Sequence, residues 1–287
     1  MSHNPFVLKL SNPFLEVGNE PSDVYTKFCM LPIVKWSGGK RDELSQILPH
    51  VPVFTRYIEP FIGGGAVYFH LNPTDAVIAD VHEDLIALYK TIAAGRGPEI
   101  STFMDEHPNT EEVYYQVRDD MIPTNDFERA CKFYYERKTC YRGMLRYNKK
   151  GKFNIPFGRY KTMSYKDLVD ERYHTLLART DIRTCGFEQI FRDFNDPENF
   201  VFLDPPYDSE FTDYGYCKFE QDKQIELAEC FKTTKNKCLM IIGKTDFIVS
   251  LYEKYIVGEF DKKYAFKLHS GRIGNEINTK HLIIKNY

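Results

Sequence analysis

The stretch "RYIEPFIGGGAVYFHLNPTDAVIAD", residues 56–80, decides the fold. "RYIEP" (56–60) reads as a short strand, three glycines turn the chain, "AVYFHL" reads as a helix, and "AVIAD" (76–80) is a second strand. A helix over "HEDLIALYKTIAA" follows. This strand, turn, helix, strand order opens a parallel α/β sheet. The alternation resumes late in the chain, with strands at "FVFLD" (200–204), "CLMII" (238–242) and "HLIIKN" (281–286) and a helix over "QDKQIELAECFKTTK". Between about 98 and 180 the pattern changes. Helices are predicted in "TEEVYYQVRDD", "DFERACKFYYERKTC" and "SYKDLVDERYHTLLAR", the last capped by Ser164. "YRGMLRYNKKGKFNIPFGRYK" (141–161) reads as two alternating segments joined by a glycine turn, like a hairpin. The expected organisation is an α/β domain from residues 1–95 and 182–287, divided by an insertion over 96–181.

With 287 residues, the chain can bury one large core or a core with an insert. No window reaches the roughly 18 apolar residues that span a bilayer, and "MSHNPFVLKLSNPF" lacks the basic start and apolar stretch of a signal peptide. Seven scattered cysteines without a C-x-x-C pair indicate neither zinc nor a disulfide framework, and point to a reducing, intracellular setting. The net charge of −3 gives no sign of a polyanion partner, but its distribution does. From Arg129 to Lys161 there are eleven Lys or Arg against one acid, Glu136, a local charge of +10 by subtraction. A basic stretch on a mildly acidic chain suits a polyanion-binding face.

Each glycine corner admits more than one ligand. Gly63 and Gly65 fit the first half of a G-x-G-x-x-G dinucleotide fingerprint, but Tyr68 occupies the third glycine position. "WSGGKRD" (36–42) contains Gly39-Lys40, yet Val34 and Arg41 replace the first glycine and the hydroxyl of a phosphate loop. Asp80, ending the second strand, is placed to hold ribose hydroxyls of either a dinucleotide or an adenosyl cofactor. In "VFLDPPYDSEF" (201–211) a buried strand ends on an acid and two prolines. Proline has no N–H and a fixed φ, so Pro205 and Pro206 stop the ladder and hold Asp204 and Tyr207 in set directions.

The order of these segments is more specific than any one of them. "KWSGGK" (35–40), "YIEPFIGGGAVYF" (57–69), "RYNKKGKFNIPFGRYK" (146–161) and "DPPY" (204–207) together resemble the Dam-like, alpha-group family of DNA adenine-N6 methyltransferases over residues 31–287. The resemblance implies a Rossmann-like, S-adenosyl-L-methionine-dependent methyltransferase sheet with an inserted helical and hairpin DNA-recognition domain. It implies cofactor contacts from Trp36, Lys40, Glu59, Pro60, Phe61, Gly63, Gly65, Asp80 and Asp204. Asp204, Pro205, Pro206 and Tyr207 match the catalytic tetrad. Lys35, Tyr141, Arg142, Met144, Arg146, Asn148, Lys150 and Lys152 match positions that meet double-stranded DNA, and Lys149 and Lys161 add phosphate-seeking charge.

Two departures from the pattern stand out. Arg142 replaces the Asn typical of GATC-methylating members, which puts GATC in doubt as the target. "RTCGFEQIF" (183–191) lacks the usual Asp-Phe pair, leaving Phe187 or Glu188 for the cofactor's adenine. The implied reaction is methylation of N6 on a flipped adenine, without metal, in a setting that can include a cognate restriction endonuclease. Methyltransferases of RNA or of protein glutamine, a nicotinamide-dependent oxidoreductase and a silent DNA-binding module are the rivals. The complete Asp-Pro-Pro-Tyr run and the basic hairpin weigh against them.

Overall fold

In the computed structural model, residues 30–148, 150–207, 219–264 and 277–287 are described. Lys149 and the chain just after Tyr207 lie outside them.

The inner strand β1 (Arg56–Glu59) is paired in parallel with β2 (Ala76–Asp80) on one side and with β4 (Asn199–Leu203) on the other. Beyond β2 lies β3 (Thr180–Thr184), and beyond β4 lie β5 (Lys237–Gly243), β7 (Ile277–Lys285) and the edge strand β6 (Ile256–Tyr264). The order is β3-β2-β1-β4-β5-β7-β6, with β7 antiparallel to both neighbours. The helices are α1 (Leu44–Ile47), α2 (Ala66–Leu71), α3 (Glu83–Ala93), α4 (Gly97–Glu106), α5 (Glu111–Tyr115), α6 (Asp126–Thr139), α7 (Glu171–Ala178), α8 (Phe187–Asp193), α9 (Gln221–Thr233) and α10 (Asp246–Tyr252).

Successive strand residues point to opposite faces, and the two cores sort accordingly. Tyr57, Ile78, Phe200 and Phe202 join α3, α6 and α7 on one face, whereas Ile58, Val77, Val201 and Leu203 join α8, α9 and α10 on the other. Covering both faces explains why β2 and β4 read as unbroken apolar runs. The edge strands β3 ("TDIRT") and β6 ("IVGEFDKKY") carry polar residues because each pairs on one side alone, and polarity hides them from a hydrophobic pattern.

The insertion is helical with a loop at its tip. α6 packs on α3 and α4, and Tyr114, Phe133, Tyr134 and Tyr135 extend the first core without a break. Ser164 does not cap a helix. The cap of α7 is Asp170, whose carboxylate accepts the Arg172 N–H at 3.0 Å, after a separate 3₁₀ turn at Lys166–Leu168. That turn is pinned on α4: a Cβ on Gly97 would fall 2.0 Å from the Leu168 carbonyl oxygen. The hairpin is looser than its alternation suggests. It has a 3₁₀ turn at Tyr141–Gly143 and isolated antiparallel bridges, Cys140 with Phe157 and Tyr147 with Phe153, in place of a ladder.

Candidate active site

Strand order reverses at β1, where the chain goes one way to β2 and β3 and the other way to β4 and β5. In open α/β sheets, ligands bind at the carboxyl ends of the strands at such a switch point. Here those ends bring together Glu59 on β1, Asp80 on β2 and Asp204 immediately after β4.

Asp204 is held from below. Lys40 Nζ lies 2.6 Å from Asp204 Oδ1, and their side chains are 3% and 20% exposed. The same ammonium donates to the Gly38 carbonyl at 2.8 Å and sits 5.2 Å from the centre of the Tyr207 ring. Burial pushes the Asp204 carboxyl up, and Lys40 opposes that shift. Behind the prolines, the buried Gln224 amide donates to the Pro206 carbonyl at 2.7 Å. Tyr207 meets the edge of His281, ring centres 5.1 Å apart, and passes close over Gly243. Lys40 therefore binds two members of the tetrad directly, a placement its motif alone did not show.

The glycine corner is tied to Asp80. Its two oxygens accept the backbone N–H groups of Gly63 and His82, each at 3.0 Å, and burial still pushes its carboxyl up to about 6. Tyr89 donates to the Gly63 carbonyl at 2.7 Å. Gly63 has φ +44°, and a Cβ there would lie 2.6 Å from the Trp36 indole, so both conformation and space demand glycine. Gly65 opens α2, whose six residues make too short a helix to serve as an anion site in its own right. Glu59 is 3% exposed and accepts the Tyr57 hydroxyl at 2.7 Å; burial first, and the Asp204 charge in addition, push its carboxyl well above the usual range. Pro60 follows it at the strand end. Phe61, Phe187 and Phe219 form an aromatic wall with ring centres 5.6–5.8 Å apart. Glu188 is ion-paired with Lys223 at 2.6 Å.

The hairpin meets this corner through an unanticipated pair. His82 Nδ1 accepts the Leu85 N–H and so caps α3. Its proton therefore sits on Nε2, which donates to the Tyr147 hydroxyl at 2.7 Å. Burial draws the His82 imidazole down to about 3, which keeps it neutral. Of the other hairpin side chains, Leu145 and Ile155 are buried in the core, and the rest pack against it, brace the loop or face outward. Arg142 (φ +57°) and Tyr141 are exposed together, with the guanidinium 5.4 Å from the Tyr141 ring centre. Arg146 is exposed, its Nε donating to Asn154 Oδ1 at 2.8 Å. Asn148 Oδ1 accepts the N–H groups of Lys150 and Lys152, so this side chain builds the tip on which both lysines are exposed. Met144 is half-buried against the core. The Lys35 carbonyl accepts from the Arg137 guanidinium, and its ammonium lies 5.9 Å from the Tyr160 ring centre.

A family model described as D12 class N6 adenine-specific DNA methyltransferase matches residues 36–266. The chain belongs to that family. It is 55% identical to the Type II methyltransferase M.CviBI of Paramecium bursaria Chlorella virus NC1A, over 90% of this chain and 100% of that protein. It is 35% identical to the Type II methyltransferase M.MjaIII of Methanocaldococcus jannaschii, covering 82% and 91%. With the DNA adenine methylase of Salmonella typhi it shares 33% identity over 74% and 80%. The enzyme is thus a site-specific DNA methyltransferase acting on adenine N6, as the four ordered motifs indicate, on an α/β sheet of the expected class. Its similarity to both Type II methyltransferases and DNA adenine methylases leaves the target free to be other than GATC. Among the described residues, no helix of this methyltransferase is long and apolar enough to cross a membrane.

Gln224, which donates to the Pro206 carbonyl, and three further residues of the site escaped sequence reasoning. Glu43, His82 and His281 belong to no motif, and the Glu43–His281 contact spans 238 positions. Only the adjacency of His82 to Asp80 was a usable signal.

Proposed function

We propose that the methyl donor is S-adenosyl-L-methionine and that the acceptor adenine is rotated out of double-stranded DNA into the corner made by Asp204, Pro205, Pro206 and Tyr207. The observation that carries this reading is the convergence of three acids, Glu59, Asp80 and Asp204, at the switch point. Such a site offers hydrogen-bond acceptors to a ligand with hydroxyl and ammonium groups, and its glycine corner has Tyr68 in place of the third glycine of a pyrophosphate-binding fingerprint. Asp80 suits the ribose, since each carboxylate oxygen has a second lone pair beyond the backbone donor it already accepts. Trp36, Glu59, Pro60, Phe61, Gly63 and Gly65 line the remainder, with Lys40 and Asp204 at its reactive end. Phe187 is the better wall for the adenine ring, because Glu188 is engaged by Lys223.

The cofactor, when bound, supplies an electrophilic methyl group on a sulfonium. The protein's task is to make a poor nucleophile aim at it. The N6 lone pair of adenine is delocalised into the ring, and accepting both N6 hydrogens localises it. Asp204 Oδ2 serves as one acceptor while Oδ1 stays on Lys40, and the Pro205 carbonyl serves as the other. Rigid acceptors need little reorganisation as positive charge grows on nitrogen, and orientation supplies much of the remaining rate. Asp204 stabilises the ammonium, whose proton then passes to water. Tyr207 stacks on the extruded base, offsetting part of the few kcal/mol that extrusion costs.

Residues 1–95 and 182–287 carry this chemistry, and 96–181 carry DNA recognition. Lys35, Lys150, Lys152 and Lys161 neutralise phosphates. Tyr141, Met144 and Asn148 shape the tip. Arg142 and Arg146 read bases, because a guanidinium can bond guanine O6 and N7 together. Similarity to Type II methyltransferases supports a cognate restriction endonuclease as partner, in an intracellular setting.

Calorimetry with S-adenosylmethionine and with NAD tests the cofactor assignment. Binding of the former alone is expected, and Asp80→Ala is expected to weaken it. Binding of NAD, or unaltered affinity in Asp80→Ala, contradicts the reading.

A further inference from the structure

Lys40 and Glu43 begin and end one 3₁₀ turn, and side chains three apart on such a turn eclipse. Both are 3% exposed, whereas Arg41 and Asp42 between them face solvent. The turn therefore sends an ammonium to the loop after β4 and a carboxylate toward the antiparallel end of the sheet. Glu43 Oε2 lies 2.8 Å from His281 Nδ1 on β7, and Oε1 lies 2.7 Å from Lys262 Nζ on β6. His281 is fully buried, and its ring meets Tyr207 and Phe260 edge-on, at 5.1 and 5.5 Å between centres. Lys40 approaches the same Tyr207 ring while holding Asp204.

A buried charge cluster is a weak way to stabilise a fold, since well-packed apolar replacements are often neutral or better. What this one does is fix geometry. We propose that Glu43, with His281 and Lys262, is a positioning set that holds the Tyr207 ring and, through the shared turn with Lys40, the Asp204 carboxylate in reactive register. The set touches neither substrate nor cofactor. Its effect is on the step that follows binding: seating the extruded base against Tyr207 and aligning its amine with Asp204. Interactions with His281, Lys40 and Lys262 hold the Glu43 carboxyl down at about 2 despite its burial, so the anion persists across the working range. This inference rests on the roles assigned above to Asp204 and Tyr207.

The test is the double variant Glu43→Met/His281→Leu, assayed on a duplex carrying the enzyme's own methylated site, located beforehand by sequencing. Its thermal midpoint is expected to match or exceed the parent's, and its affinities for S-adenosylmethionine and DNA to stay close to the parent's. Single-turnover methyl transfer is expected to fall on the order of ten- to a hundred-fold, the scale of a small misplacement of reacting groups. With 2-aminopurine at the target position, the fluorescence rise on extrusion is expected to shrink in parallel. A folded double variant that transfers at the parent's rate overturns the proposal. Failure of that variant to fold overturns it too, by making the set a folding requirement. Asp204→Ala separates the two layers. If that variant is inactive while the double variant is unimpaired, only the positioning role falls; if it is active, the reading of the tetrad falls with it.

Discussion

The strand-end floor of the site and the hairpin that overhangs it are built in opposite ways. On the floor, bonds join residues far apart in sequence: Lys40 to Asp204, Glu43 to His281, the Gly63 N–H to Asp80. At the hairpin tip, the bonds of the exposed residues are local, whereas Arg159 near its base pairs with Glu111. Arg146 reaches Asn154, Asn148 caps its own tip, and Arg142 lies over Tyr141. A floor cross-linked in this way keeps its shape whether or not a ligand is bound, which is what aligning an amine with a methyl donor requires. A locally braced loop can exchange its bonds for base edges and phosphates at small cost. Rate is therefore expected to depend on the first region and choice of sequence on the second, with His82 and Tyr147 as a hydrogen-bonded joint between them.

The sharpest way to break this division is Asp204→Ala. Methyl transfer is expected to fall by about 10²–10³-fold or more, while a filter or anisotropy titration with duplex DNA shows binding close to the parent's. A large loss of DNA affinity would merge the two regions. Next in size is the acid response of the floor. Glu43 titrates near 2 in the folded protein against 4.5 for its ordinary value, so the folded state binds fewer protons. Relative to a protonated Glu43, the ionised group stabilises the fold by on the order of 3 kcal/mol, fully so above pH 4.5, and this difference is lost as pH falls toward 2. Asp80, pushed up to about 6, has the reverse sign: it costs stability above that pH and nothing below about 4. Denaturant midpoints of Glu43→Gln should therefore lose part of the parent's decline below pH 4.5, other lowered carboxylates such as Glu259 and Asp170 keeping the rest; an unchanged slope would remove Glu43 from the account.

The hairpin effects are smaller and of another kind. Arg146→Ala is expected to lose about 1–3 kcal/mol of discrimination at one base pair, read by competition among altered duplexes, with single-turnover rate on the preferred site much less affected. Identical preference in the variant would show that Arg146 is no reader. Lys150→Ala and Lys152→Ala should weaken binding evenly across sequences and each lower the slope of log affinity against log salt by about 1. A sequence-dependent loss there would place these lysines on bases.

What could be read in the sequence divides along similar lines. β1, β2 and β4 announced themselves because both faces of an inner parallel strand are apolar, whereas the tetrad, an ordinary turn signal by itself, became legible through its place in the ordered set of four segments that resembles the family. β3 and β6 were invisible, since an edge strand is free to alternate charge with Ile or Phe. Ser164 and Asp170 are equally good caps by type, and the choice between them was made by the Leu168 carbonyl fitting against Gly97, a contact over seventy residues long. The floor's cross-links were beyond reach for the same reason. Nothing local marks Glu43 as the partner of His281, whereas the hairpin's bracing by Asn148 and Asn154 lies within eight residues of what it braces.

The most direct measurement is single-molecule sequencing of DNA from a methylation-free host expressing the parent or Asp204→Ala. N6-methyladenine at one short recurring motif with the parent, and none with the variant, is the expected result. Unmodified adenines throughout with expressed, folded parent, or the same modified motif in both samples, would contradict the assignment of Asp204 as the group that prepares the amine.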